Sequence, residues 1–472
     1  MRLTAVENHP FITEARVFHI LDHLAYTAPG ADLLPAWFLR LAAPIYTGVI
    51  TYMINFSIAN FYVPEQWKTA IIHPVAKVPK PETPSDYRPI SITPILSRIV
   101  ERELVQRYLY PAFNQPPMSD LLLDQYAFRP TGSTTAALIS LQHQVKTLLQ
   151  SNEYVTLVSL DFSKAFDTVR HSVLAAKLSS LIIPDNIYNW LVEFLKDRRH
   201  VTRFQNVLSA AAAIDASVVQ GSGIGPSAFV VNGSDLHPRH RANIIVKYAD
   251  DTYLLVGSSL NSTIGDELTM IGDWAEENHL SLNQSKTKEM VIVRRRGVQL
   301  PPPTPGIERV TKMKILGVIV RDDFRAKDQV EATLASCHGT VHALRVLKSH
   351  GLPRDTLQKV AEATTLMKMM YAAPAWWGRT SAEDRVRLNR FLTKTKRAGY
   401  LRSQIPDVEQ LMRDADLRLL TSVSSNPNHV LQTLFPPKVS RSYNLRPRLH
   451  NFTLPLKDNT NFISRVLYYT NK

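Results

Sequence analysis

The sequence predicts an α+β protein, and three stretches carry that prediction. Residues 243–256 (NIIVKYADDTYLLV) set two apolar, β-branched and aromatic runs around a tight Ala249-Asp250-Asp251 centre, the pattern of a β-hairpin with two carboxylates at its tip. Residues 154–160 (YVTLVSL) form a second β-rich run that ends in Asp161. From Asp328 onward the period changes, with Val330, Leu334, Cys337, Val341 and Leu344 recurring at three and four, which predicts helices. Adjacent carboxylates repel, and a carboxylate closing a buried strand is costly unless it is paired or bound to a metal. The hairpin tip and Asp161 are therefore candidate holders of a hard divalent cation.

In chain order, residues 1–66 read as mostly helical. Within them residues 41–64 carry no charge, a length that could span a bilayer, but Thr47, Thr51 and Asn55 recur every four positions opposite Ile45, Val49, Ile50, Met53, Ile54 and Phe56. A polar stripe on an apolar helix predicts a core helix of a protein with no membrane partner. Residues 67–77 read as a strand ending in basic residues, with Lys77, Lys80 and Arg88 close together before an amphipathic helix over 95–108. Ser133 or Thr134 is placed to cap a helix starting near Ala136. Residues 171–200 read as helices. Residues 217–226 read as a strand running into a glycine-rich turn and then a helix, and glycines there allow close approach by a ligand. A helix over 264–279, a lysine-bearing loop at 286, a strand over 289–293 and a strand pair or turn over 314–320 follow.

Composition sets the outer limits. The chain has 472 residues, 44% hydrophobic and 20% charged, a globular balance large enough for two or three domains. A formal net charge of +14 suits a polyanionic partner, nucleic acid before membrane. The one cysteine, Cys337, excludes a disulfide framework and a cysteine-based zinc site, and its helical spacing marks it as core. No secretory signal is legible in residues 1–10, so an intracellular protein, nuclear and cytoplasmic, is expected.

The order of the motifs is more specific than any one of them. Trp67-Lys68, residues 86–91 (DYRPIS), Phe128-Arg129-Pro130, residues 161–167, Gln220-Gly221-Ser222, residues 248–251 (YADD) and Leu316-Gly317 follow one another along residues 28–400. That series resembles the reverse transcriptases of non-LTR (LINE-like) retrotransposons. The resemblance implies a right-hand polymerase with fingers over 67–150, a palm over 151–322 to which 172–215 contribute fingers, and a helical thumb over 323–405. Residues 1–66 would be a helical extension and 406–472 a basic tail. It implies RNA-directed DNA polymerase activity: a DNA primer extended on an RNA template with dNTPs, using two Mg²⁺ ions, or Mn²⁺, held by Asp161, Asp250, Asp251 and the Phe162 carbonyl. It also implies that Phe166 excludes a ribose 2′-hydroxyl, that Lys77 and Arg88 contact the triphosphate, that Gln220 and Gly221 line the nucleotide pocket, and that Lys286, with Lys288 as rival, meets the pyrophosphate. Asp167 should point away from the metals.

Such elements usually carry an endonuclease as well. No second catalytic constellation and no Cys/His knuckle is legible, so a separate endonuclease is an expected partner. The competing reading is a catalytically inactive, nucleic-acid-binding remnant of a retroelement.

Overall fold

The computed structural model describes residues 10–163, 165–217, 219, 221–295, 297–439 and 450–470. The chain divides into two compact units, each assembled from separated segments: residues 1–129, 162–236 and 270–282 in the first, and 130–161, 237–269 and 283–472 in the second.

In the first unit, the helix Glu14–Asp22 packs on the long helix Ala36–Ala59. Asn55 fastens them: its side chain accepts from the Ile12 N–H and donates to the Ile12 carbonyl, both at 2.9 Å. Elsewhere on the long helix Ser57 Oγ accepts from the buried Trp190 indole at 2.9 Å, and that tryptophan belongs to the helix Asp185–Leu195. The inward face of this helix mixes polar with apolar residues, because Ile50 and Ile54 are buried as well. Thr47 and Thr51 are buried, while Ile45, Val49, Met53 and Phe56 are exposed. Two short bonds make this tolerable: Thr47 Oγ1 donates to the Ala43 carbonyl at 2.6 Å and Thr51 Oγ1 to the Thr47 carbonyl at 2.8 Å, so neither hydroxyl is buried unpaired. Among the described residues this is the one helix long and apolar enough to cross a membrane, with 44% of its most apolar window buried in the protein.

The sheet of the first unit places Thr69–Ala76 between an antiparallel neighbour, Tyr87–Ile92, and a parallel one, Arg198–Phe204. Residues 198–200, expected to close a helical segment, instead open that strand. Arg198 is fully buried with its guanidinium over the Phe194 ring, and its Nη1 donates to the Phe194 carbonyl at 3.0 Å. Among the described residues, the stretch expected as a strand before the glycine turn shows a single bridge between Arg170 and Ala216, and Ser217 takes a φ of 99°.

In the second unit a five-stranded sheet runs Glu308–Arg309, Lys288–Val293, Tyr154–Leu160, Asp251–Gly257, Ile244–Tyr248. The central strand buries Val155, Leu157, Val158 and Leu160, and the helix Thr134–Ser151 packs on the sheet. Ser133 caps that helix as the sequence predicts, accepting from the Ala136 N–H at 3.1 Å. A separate hairpin, Lys312–Ile315 with Val318–Arg321, turns at Leu316 and Gly317, both with positive φ (46° and 85°). Helices then dominate. Lys327–Ser349 buries Val330, Leu334, Cys337 and Leu344, and Ala382–Arg397 begins at a Ser381/Asp384 capping box. The helix Phe462–Tyr469 docks by an ion pair in which Arg465 and Asp416 are 2% and 0% exposed.

Candidate active site

The sheet register of the second unit brings the three acidic residues together. Tyr154–Leu160 and Asp251–Gly257 run antiparallel with Leu160 opposite Thr252, so the next position in register sets Asp161 opposite Asp251. The hairpin closes one residue earlier, with Tyr248 opposite Asp251, which leaves Ala249 and Asp250 as a two-residue turn. Ala249 sits at φ 56°, a left-handed value that costs a residue with a Cβ about 1–2 kcal/mol. The neighbouring ladder holds that conformation in place and puts two carboxylates where a less strained turn would put one or none.

Electrostatics identify these groups as one cluster. Partial burial, then the Asp250 carboxylate, then that of Asp161 push Asp251 up to about 6 from the ordinary carboxylate range. One nearby cation partly answers this charge: Lys286 Nζ lies 3.8 Å from Asp161 Oδ2. The loop bearing it is anchored on Asp161 itself, because the Asn283 N–H donates to the Asp161 carbonyl at 2.7 Å and Thr287 folds back on the Asn283 carbonyl. Lys288, the alternative lysine, is drawn off by Glu308 at 2.9 Å.

The oxygen-only donor set suits a hard divalent ion. Among the described residues no three His, Cys, Asp or Glu side chains form a ready-made cage. Mg²⁺ sites that act on nucleotides do not need one, since substrate phosphates and water complete the shell.

Tyr248 and Tyr253 belong to the strands of the acidic hairpin, and Tyr371 supports the Leu316–Gly317 turn. The Tyr371 hydroxyl donates to the Leu316 carbonyl at 2.9 Å and lies 3.1 Å from Thr134 Oγ1. A Cβ on Gly317 would meet the Tyr371 ring at 3.0 Å, so the turn needs its glycine. Tyr248 and Tyr253 both have raised phenol pKa values, first from burial, and both feel Asp251. Nothing in the sequence around Tyr371 distinguishes it from a core aromatic.

The remaining predicted residues lie in the first unit. Phe166 stacks on Phe229 with ring centroids 4.1 Å apart and meets Phe128 edge-on at 6.5 Å, so its ring is held rigidly. Phe162 pairs in a short strand with Leu282, and its ring meets Trp274 at 6.0 Å. Lys77 Nζ donates to the Ser85 carbonyl at 3.1 Å, and Arg88 is exposed on the neighbouring strand. Asp167 lines a cavity of about 340 Å³ together with Ser91, His200 and Val219. Gln220 lies outside the described residues. Gly221 has a φ of 113°, and a Cβ there would come within 2.3 Å of the Ser91 carbonyl.

Sequence reasoning missed the residue that shapes this turn. Glu101, fully buried, accepts from the Gly223 N–H at 2.6 Å and the Ile224 N–H at 3.3 Å, while Ser97 Oγ donates to its other oxygen at 2.7 Å. The 122 residues between Glu101 and Gly223 hide that link from any local reading.

Comparison with known proteins agrees with this geometry. The family model described as "Reverse transcriptase (RNA-dependent DNA polymerase)" matches residues 78–320. That span contains all three acidic residues, Phe166, Gly221 and Lys286, and begins one residue after Lys77. The probable RNA-directed DNA polymerase from transposon X-element of Drosophila melanogaster is 28% identical over 307 residues, 62% of this chain and 33% of that protein. Its counterpart from transposon BS of the same organism is 27% identical over 411 residues, 79% of this chain and 42% of that protein. The RNA-directed DNA polymerase from mobile element jockey, again of Drosophila melanogaster, is 29% identical over 283 residues, 57% of this chain and 30% of that protein. The chain therefore spans less than half the length of these relatives.

Proposed function

The chain belongs to the reverse transcriptase (RNA-dependent DNA polymerase) family, and on that premise we propose that it is a retrotransposon-derived polymerase that extends a DNA primer on an RNA template with dNTPs. The observation that carries the proposal is the placement of Asp161 opposite Asp251 at the end of one ladder, with Asp250 in the adjoining turn. Carboxylates from two strands at one sheet end support the nucleotidyl-transfer chemistry that needs charge neutralised on both the attacking and the leaving oxygen.

Asp161, Asp250 and Asp251 would hold the divalent ions, with the Phe162 carbonyl as a further oxygen donor. Mg²⁺ or Mn²⁺ bound there supplies Lewis acidity toward the phosphates and favours the deprotonated primer 3′-hydroxyl. The protein's own part is orientation. The strand ladders on either side of the turn hold its carboxylates in place, so little reorganisation accompanies reaction. Lys286, an exposed ammonium beside Asp161, is placed to meet the negative charge that gathers on departing pyrophosphate. On the first unit Lys77 and Arg88 are proposed triphosphate contacts, Phe166 the sugar gate that favours dNTPs, and Gly221, with Gln220, part of the nucleotide pocket. A template RNA, a DNA primer and a separate endonuclease are the proposed partners, in a nuclear and cytoplasmic setting.

The test is extension of a DNA primer annealed to poly(rA), with dTTP, in Mg²⁺ and in EDTA. The expected result is a product ladder in Mg²⁺ that disappears in EDTA. Binding of the primer–template without extension in either Mg²⁺ or Mn²⁺ would contradict the assignment.

A further inference from the structure

The helix Ala36–Ala59 has an apolar face to spare. Its inner face is already used, with Leu39, Ile50, Ile54 and Ile58 buried in the first unit. On the outside Trp37, Leu41, Ile45, Val49, Tyr52 and Phe56 fall at separations of 4, 4, 4, 3 and 4, which aligns them in a single seam. They are 57%, 74%, 79%, 56%, 69% and 46% exposed. Arg40 is the one charged residue among the 24 of this helix. At roughly 200 Å² for a large side chain, the seam presents about 800 Å² of apolar surface. The largest patch on an ordinary monomer is about 300–600 Å².

We propose that this seam is an interface between two copies of the chain, paired as antiparallel helices about a two-fold axis that passes between Ile45 and Val49. The area is that of one side of a standard stable interface, about 800 Å² per partner. An interface built from one patch must be complementary to itself. About that axis Ile45 meets Val49 of the second copy, Leu41 meets Tyr52, and Trp37 meets Phe56, so each contact joins two apolar side chains. Charge sets the direction: antiparallel pairing separates the two Arg40 guanidinium groups by about 20 Å along the axis, whereas parallel pairing would set them side by side. A lipid surface fits less well, because a helix lying in a bilayer interface carries a strongly basic polar face, and the opposite face of this helix is packed into protein. The pairing is independent of the catalytic reading.

The test uses the full chain in sedimentation velocity across low to high micromolar concentration. The wild type is expected to reach twice its 53.3 kDa monomer mass. Leu41→Glu and Ile45→Glu should each raise the dimer dissociation constant at least tenfold, with the circular dichroism of the monomer unchanged because both side chains are exposed in it. The native Cys337 is buried, so an engineered thiol reports alone. The Ile45→Cys/Val49→Cys double variant, whose thiols face each other across the axis, should form a disulfide-linked dimer, and Trp37→Cys, at the seam's end, should not. A wild type that stays monomeric throughout, or a Leu41→Glu variant that dimerises as well as wild type, would overturn the proposal. So would equal cross-linking of the two cysteine variants, or wild-type chain that floats with anionic vesicles while remaining monomeric.

Discussion

Asp250→Asn should lower the rate of RNA-templated dNTP incorporation by about a thousandfold or more while leaving the fold in place. The size follows from what a metal contributes to such a transition state: several kcal/mol of charge stabilisation, with each 1.36 kcal/mol worth a factor of ten. Asn keeps the volume and hydrogen-bonding shape of Asp but loses the charge that the ion needs. The fold should not suffer. Asp250 repels Asp251 strongly enough to help move its pKa to about 6, so neutralising Asp250 relieves a like-charge contact. Steady-state extension measured beside circular dichroism separates the two effects. Extension within tenfold of wild type would take Asp250 out of the ligand set.

Arg465→Ala is the second large effect, and it concerns stability. The guanidinium makes two bonds to Asp416, Nε to Oδ2 at 2.9 Å and Nη2 to Oδ1 at 3.0 Å, and Nη2 also donates to the Pro374 carbonyl at 2.9 Å. Removing the cation leaves a buried carboxylate with no counter-charge, a change that costs about 3–5 kcal/mol. For a unit of this size the apparent melting temperature should fall by roughly 6 °C or more. The pH dependence has a definite sign. Burial already raises the Asp416 pKa against the pull of Arg465, and the variant removes that pull. An acid whose folded pKa lies above its unfolded value loses stability as pH rises from the unfolded value through the folded one. The Arg465→Ala defect should therefore be smaller in acid than at neutral pH. Differential scanning at several pH values reads both the drop and its slope. Arg465→Leu combined with Asp416→Leu should recover most of the loss, since two apolar side chains leave no charge behind.

Much of the geometry around the three acidic residues was legible because it is local. Alternating apolar runs around Asp250 and Asp251, and a β-branched run ending in Asp161, specify strands whose ends are fixed by their own residues. The hairpin and the strand Tyr154–Leu160 fall where the pattern places them. The Ser133 cap was legible for the same reason. The long helix shows the limit of such reading. Periodicity separates its threonine stripe from its apolar stripe, but it does not say that Thr47, Thr51, Ile50 and Ile54 share the buried face. Threonines that bond back to their own helix can be buried cheaply, and here they are. The stretch before the glycine turn shows another limit, since among the described residues Ala216 finds a single bridge to Arg170. Contacts over long separations were out of reach altogether. Glu101 beneath the glycine turn, Tyr371 behind the Leu316–Gly317 turn and Arg465 on Asp416 join residues 122, 55 and 49 positions apart.

The most direct test of the central claim reads the metal and not the product. Mn²⁺ binding in the presence of a non-hydrolysable dNTP, followed by electron paramagnetic resonance, should show tight uptake by the wild-type chain. Asp161→Asn should weaken that uptake at least tenfold, even though residue 161 is 89 positions from Asp250 in sequence. Equal Mn²⁺ affinity in the two proteins would mean that the strand end and the hairpin do not share an ion, and the polymerase mechanism drawn from them would be wrong.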